Sequence, residues 1–107
     1  MQKPHPLIEI FGQTPDIDIV IFLMVHGFDD YSQKEIAKYT GLARQTIAKR
    51  LPVLIRYKLA KVKRTIGHSS MYQFNASSKQ AEALVNMHNS LVNIIVEEEK
   101  AIMKAKK

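Results

Sequence analysis
Residues 31–57 read YSQKEIAKYTGLARQTIAKRLPVLIRY, and this stretch decides the fold. Ser32 followed three residues on by Glu35 is a capping box: the hydroxyl accepts an orphan amide of the first turn, and the carboxylate reaches back to the cap's own N–H. It predicts a helix over about Gln33 to Tyr39, with Ile36 and Ala37 inward. Gly41 follows, where a tight turn needs a positive φ that glycine adopts at little steric cost. A further helix then starts near Ala43, with Ile47, Leu51, Leu54 and Ile55 as its buried stripe. Arg44, Gln45, Thr46, Lys49 and Arg50 are left toward solvent. Ala37, Gly41 and Ile47 set the crossing: a methyl where two helices approach, a turn, and an apolar residue facing back. Pro52 removes one backbone hydrogen bond of this helix, to Ala48, and clashes with that turn, at about 3 kcal/mol in a regular helix. A kink is expected there.

Working outward, the segment before this stretch holds another helix. Thr14 can cap it, Pro15 suits its first position, and Asp16 and Asp18 complement its dipole. Ile17, Val20, Ile21, Met24 and Val25 recur at helical spacing, with Ile19, Phe22 and Leu23 between them. A helix apolar nearly all round is mostly buried. Gly27 stops it, with His26 at its end, where a cation suits the dipole. Asp29 and Asp30 read as turn and cap chemistry. Residues 1–13, with Leu7 to Phe11 as their short apolar run, are expected to form an arm or short strand laid against the body.

On the other side, Leu59 to Ile66 alternates, with Val62 inward and Lys61 and Lys63 outward. Residues 67–70, GHSS, make a turn, and Met71 to Phe74 alternates again. That is a β-hairpin. The expected fold class is mainly α with a small β-hairpin (α+β). From about Ser78 to Met103 no Gly or Pro interrupts the chain. Leu84, Met87, Leu91, Ile94, Ile95 and Ile102 recur at three-to-four spacing, although Glu98 interrupts the stripe. A helix of that length, roughly 39 Å at 1.5 Å per residue, outruns a small body and calls for a partner; the simplest is a second copy. The six apolar residues are the candidate homodimer core. The alternative is a helix folded back on its own body. The division expected is residues 1–76 for the hairpin-bearing domain and 77–107 for the dimerisation helix.

Charge narrows the partner. The 107 residues carry 16 Lys and Arg, 10 Asp and Glu, and a formal net charge of +6. Eight of the 16 basic residues fall between Arg44 and Arg64, which contains no Asp or Glu; the remaining eight nearly balance the ten acids. A one-signed block that begins inside an exposed helix face is the footprint of a nucleic-acid binder. There is no Cys, which excludes disulfides, zinc-finger cysteines and thiol redox sensing. The four His residues show no metal-ligand spacing, and no cofactor is expected. No apolar run approaches the roughly 20 residues of a membrane span, and the N-terminus lacks the apolar core of a signal peptide, so a cytoplasmic protein, nucleoid-associated if it holds DNA, is expected. No nucleophile–base pair, carboxylate dyad or phosphate loop points to an enzyme.

The stretch FGQTPDIDIVIFLMVHGFDDYSQKEIAKYTGLARQTIAKRLPVLIRYKLAKV resembles the winged helix-turn-helix transcription regulators, in particular the small archaeal and plasmid-type, MarR- and ArsR-like members. The shared pattern is a Phe-Gly-x-Thr-Pro entry, Tyr-Ser before the second helix, a Gly turn, and a Pro late in the third. The resemblance spans about residues 10–75. It implies a homodimer that binds double-stranded DNA, with helix 43–57 in the major groove and wing 60–74 on the adjacent backbone or minor groove. Arg44, Gln45 and Thr46 are then the candidates for reading bases, since Arg pairs with guanine and Gln with adenine there. Lys49 and Arg50 are candidates for phosphate, and Gln33 and Lys34 for a phosphate at a helix start. Lys61, Lys63, Arg64, His68 and Ser69 are the candidate wing contacts; outward lysines also blunt any strand edge. Two features depart from the pattern. Ala43 stands where a capping Ser or Thr is usual, at about 1 kcal/mol. Lys58 stands where a Gly usually ends the third helix, so either it takes a strained φ or the exit turn differs. A DNA coat with little sequence preference and a protein-binding module are the alternatives on the same fold. No effector can be named from the sequence.

Overall fold
The computed structural model describes residues 5–106. Its elements run α1 (Pro6–Phe11), α2 (Pro15–Val25), α3 (Gln33–Thr40), α4 (Arg44–Arg56), β1 (Ala60–Ile66), β2 (Ser69–Phe74) and α5 (Lys79–Ala105). This is the winged-helix order expected, with one added element. The segment expected as an arm or strand is helical. Pro6 supplies a pre-set φ at the first turn, and His5 Nδ1 accepts the Leu7 N–H at 3.1 Å. Leu7 is thereby buried against the body.

The helix caps close as chemistry requires. Thr14 Oγ1 accepts the Ile17 N–H at 3.2 Å. Ser32 Oγ accepts from Glu35 N–H at 3.2 Å while Glu35 Oε1 accepts from Ser32 N–H at 3.0 Å. Ser78 Oγ accepts the Ala81 N–H at 3.0 Å and its hydroxyl donates to the Lys58 carbonyl at 2.6 Å, fastening the start of α5 to the exit of α4. Gly41 has φ +78° and donates its N–H to the Ala37 carbonyl. The start of α4 has no side-chain cap, as Ala43 implied. Lys58 takes φ +63°, so the exit turn keeps its left-handed geometry without the glycine. Helix α4 runs unbroken through Pro52 to Arg56.

The core sits where α2, α3 and α4 cross and the base of the hairpin closes over them. Ile19, Leu23, Ile36, Ile47 and Leu51 are buried completely or nearly so, and Ala60, Phe74 and Ala81 join them. Ile55 is half-buried. Two expectations about facing are corrected. In α2 the deepest side chains are Ile19 and Leu23, flanked by Val20, while Val25, the last residue of the helix, is 62% exposed. With so many apolar positions, packing rather than periodicity chooses the inward face. In the hairpin, Val62 is 46% exposed. β2 lies between β1 and a two-bond bridge to Tyr31 (2.8 and 2.7 Å), so Met71, Gln73 and Phe74 are covered, whereas β1 is an edge that leaves the body after Ala60. A register shift between Val62 and Arg64 leaves Lys63 without a partner. The turn is shorter than expected, because Ser69 and Ser70 already pair with Ile66 and Thr65.

Helix α5 has 27 residues, about 40 Å, and the molecule measures 58 × 29 × 22 Å. Leu84 belongs to the protomer's own core rather than to the outer stripe, and Val85 packs beside it. Leu91 and Ile95 are half-buried. Met87, Ile94 and Ile102 remain exposed, together with Val96 and Met103. No helix among the described residues is long and apolar enough to cross a membrane.

Candidate nucleic-acid interface
Three elements converge on one polar cleft of about 380 Å³. The start of α3 brings Ser32, Gln33 and Lys34; the start of α4 brings Arg44; the wing brings His68, Ser69, Ser70 and Tyr72. The capping box points the first turn of α3 into the cleft, and the turn at Gly41 sets α4 beside it. Helix N-termini carry partial positive charge. Among the described residues, no carboxylate lines the cleft. Five of the twelve sequence-predicted contacts (Gln33, Lys34, Arg44, His68 and Ser69) therefore share one concave, acid-poor surface. Gln33 Nε2 donates to Tyr72 Oη at 3.4 Å, a long hydrogen bond across which the wing meets α3. Gln45 and Lys49 stand exposed farther along α4, and Thr46 is half-buried.

The remaining cations behave differently. Arg50 is held by Asp16 at the start of α2, with Nε–Oδ1 at 2.7 Å and Nη2–Oδ2 at 2.8 Å. Arg64 is held by Asp30, with Nε–Oδ2 at 2.6 Å and Nη2–Oδ1 at 3.2 Å. Both pairs are two-pronged, the geometry a guanidinium makes with a carboxylate. The hydrogen bond from Arg64 holds the Asp30 carboxyl below its ordinary range, and each guanidinium is held above its own by its carboxylate. Expected as a phosphate contact and a wing contact, the two arginines each present a partly occupied guanidinium: Arg50 ties α4 to α2, and Arg64 ties the wing to the α2–α3 connector. Lys63 and Arg64 border a second cleft, of about 430 Å³, with Phe28, Asp29, Asp30 and Tyr31. The wing thus splits. Its tip faces α3 and α4, and its bulge faces an acidic connector. Lys61 is half-buried on β1.

Asp16 and Asp30 carry the roles that sequence reasoning missed. Each lies 34 residues from its arginine, so no local spacing signals either pair. His26 ends α2 as expected and packs edge-on against Tyr31, in an aromatic group with Phe22 and Tyr39. No group of three or more His, Cys, Asp or Glu that could hold a metal ion occurs among the described residues.

Neither a family model nor a curated protein sequence matches the chain. Solved structures do. MepR of Staphylococcus aureus, a transcription regulator of the multidrug efflux pump MepA, is 25% identical with a TM-score of 0.62, over 95% of this chain and 80% of that one. A MepR mutant bound to an oligodeoxyribonucleotide is 23% identical with a TM-score of 0.63, over 94% and 78%. HlyU of Vibrio cholerae is 17% identical with a TM-score of 0.57, over 80% and 84%. The chain has the winged-helix regulator fold that its sequence resembles.

Proposed function
We propose that this protein is a homodimeric, sequence-specific regulator of transcription that binds double-stranded DNA, a binding protein and not an enzyme. Residues 1–76 form the DNA-binding domain, and residues 77–107 the dimerisation helix. The observation that carries this reading is the acid-free cleft where α3, α4 and the wing tip converge, with Lys34, Arg44 and His68 on its rim. A phosphate backbone fits such a surface, since each phosphate neutralised releases counterions. Helix α4 then enters the major groove by its start, where Arg44 and Gln45 reach base edges and Thr46 lies beside them. Lys49 follows the backbone. The exposed Met87, Ile94 and Ile102, with Leu91 and Ile95 beside them, cover the same face of a second copy. Two α4 helices related by a two-fold axis read half-sites about 34 Å apart. The setting is cytoplasmic, and no cofactor is required.

A second reading is a DNA coat with little sequence preference. It is favoured by one observation: α4, the helix that would read bases, starts without a side-chain cap. Selection from a randomised duplex library at about 0.15 M salt separates the two. Enrichment of a paired, inverted motif is the expected result. Retention without enrichment establishes the coat, and no retention moves the search to protein partners.

A further inference from the structure
Helix α1 meets α5 through two imidazoles. The rings of His5 and His88 stack with centroids 4.9 Å apart and planes 21° from parallel. His5 is also the cap of α1, its Nδ1 accepting the Leu7 N–H. That bond fixes the tautomer. The lone pair on Nδ1 is in use, so neutral His5 carries its proton on Nε2, a buried nitrogen with no hydrogen-bond partner among the described residues. A second proton has one place to go, Nδ1, and there it turns the acceptor of the cap into a donor facing the Leu7 N–H.

We propose that His5 and His88 form a proton-operated clasp, which holds α1 on α5 while His5 is neutral and releases it when His5 gains a proton. The surroundings supply no compensation for the cation. Of the described groups, the one charge acting on His5 is that of His88. On α5 the neighbour of His88 is Asn89, whose Oδ1 lies 3.2 Å from His88 Nδ1, and the acid of α1, Glu9, is exposed. Burial, and next the neighbouring His88, lower the pKa of His5 from its ordinary 6.5. The sign follows. Docked α1 binds fewer protons than undocked α1, so docking is at full strength above pH 6.5. It weakens as the pH falls from 6.5 through the lowered value. What release exposes is Leu7 and, with Phe11, one wall of an apolar cavity of about 320 Å³ shared with Ile17, Val20 and Leu54.

The test is amide hydrogen exchange and imidazole titration by NMR on the full chain from pH 8 to 5. After correction for intrinsic exchange, opening at the Leu7 amide is expected to rise by up to about tenfold per pH unit below 6.5. The core amides of Leu23 and Ile47 should stay protected. His5→Asn keeps a side-chain acceptor for the cap but has no proton to gain, and should abolish the rise. His88→Phe keeps a stacked ring without its charge, and should move the His5 titration upward. A flat Leu7 profile in the unmodified chain overturns the clasp. So does a rise that persists in His5→Asn, an unmoved titration in His88→Phe, or loss of core protection in step with Leu7.

Discussion

Two left-handed positions frame α4, one occupied by glycine and one by lysine, and the contrast gives a quantitative test. Gly41 has φ +78°, and a Cβ built there meets nothing within 4 Å. Gly41→Ala therefore introduces backbone strain alone, about 1–2 kcal/mol for an L-residue in this region. Alanine also narrows the unfolded ensemble, which returns about 0.4–1 kcal/mol. The net expected loss is roughly 0.5–1 kcal/mol. Lys58 has φ +63° and an exposed side chain, so Lys58→Gly reverses both contributions without loss of packing. It should stabilise by a similar roughly 0.5–1 kcal/mol. The double substitution should return close to the starting stability. Urea unfolding at fixed protein concentration measures all three, with an unchanged slope confirming that the surface exposed on unfolding is the same. For a domain near this size each kcal/mol moves the melting temperature by about 4–8 °C. A loss at Gly41→Ala above about 3 kcal/mol would mean that packing rather than φ governs the turn. A loss of stability in Lys58→Gly would refute the claim that α4 exits under strain.

Lys63 stands unpaired in the wing bulge, so Lys63→Ala should reduce the slope of log affinity against log salt by about 0.9 if it meets a phosphate; an unchanged slope would place the bulge outside the interface. Asp16→Asn releases Arg50 for a phosphate and should steepen the same slope by about the same amount, a change that fluorescence anisotropy over a salt series would detect. The Asp30 carboxyl is held below its ordinary 3.8 by Arg64, so its contribution to stability is present above pH 3.8 and fades as the pH falls through the lowered value; in Arg64→Gln the Asp30 titration should move up, and an unmoved titration would sever the two. Leu91→Asp puts a charge into the outer face of α5 and should yield monomers in light scattering; persistent dimers would place the contact elsewhere.

The framework was legible because it rests on local chemistry. Ser32 with Glu35, Thr14 with Pro15, and Ser78 each satisfy amides within four residues, so the sequence alone marks where α2, α3 and α5 begin. Gly41 marks the turn, and Ala43 and Lys58 announce their own irregularities. The basic block from Arg44 to Arg64 carries the expectation of a nucleic-acid partner. Helix α1 escaped notice because six residues carry little periodicity and its cap is a histidine, whose ring nitrogen serves where a hydroxyl or carboxylate is usual.

The sequence by itself determined the element order from α2 to α5, the caps of α2, α3 and α5, the exposed face at the start of α4 and the sign of the charge, since each depends on neighbours along the chain or on composition. Tertiary structure decided the rest. It chose Ile19 and Leu23 over Val25 as the inward face of α2, because a helix apolar all round is oriented by what it packs against. It turned Val62 outward, because β1 is an edge and β2 is not. It set Asp16 on Arg50, Asp30 on Arg64 and His5 on His88, because charges and rings pair by distance in space. No spacing along the chain encodes a meeting of residues 34 positions apart or more.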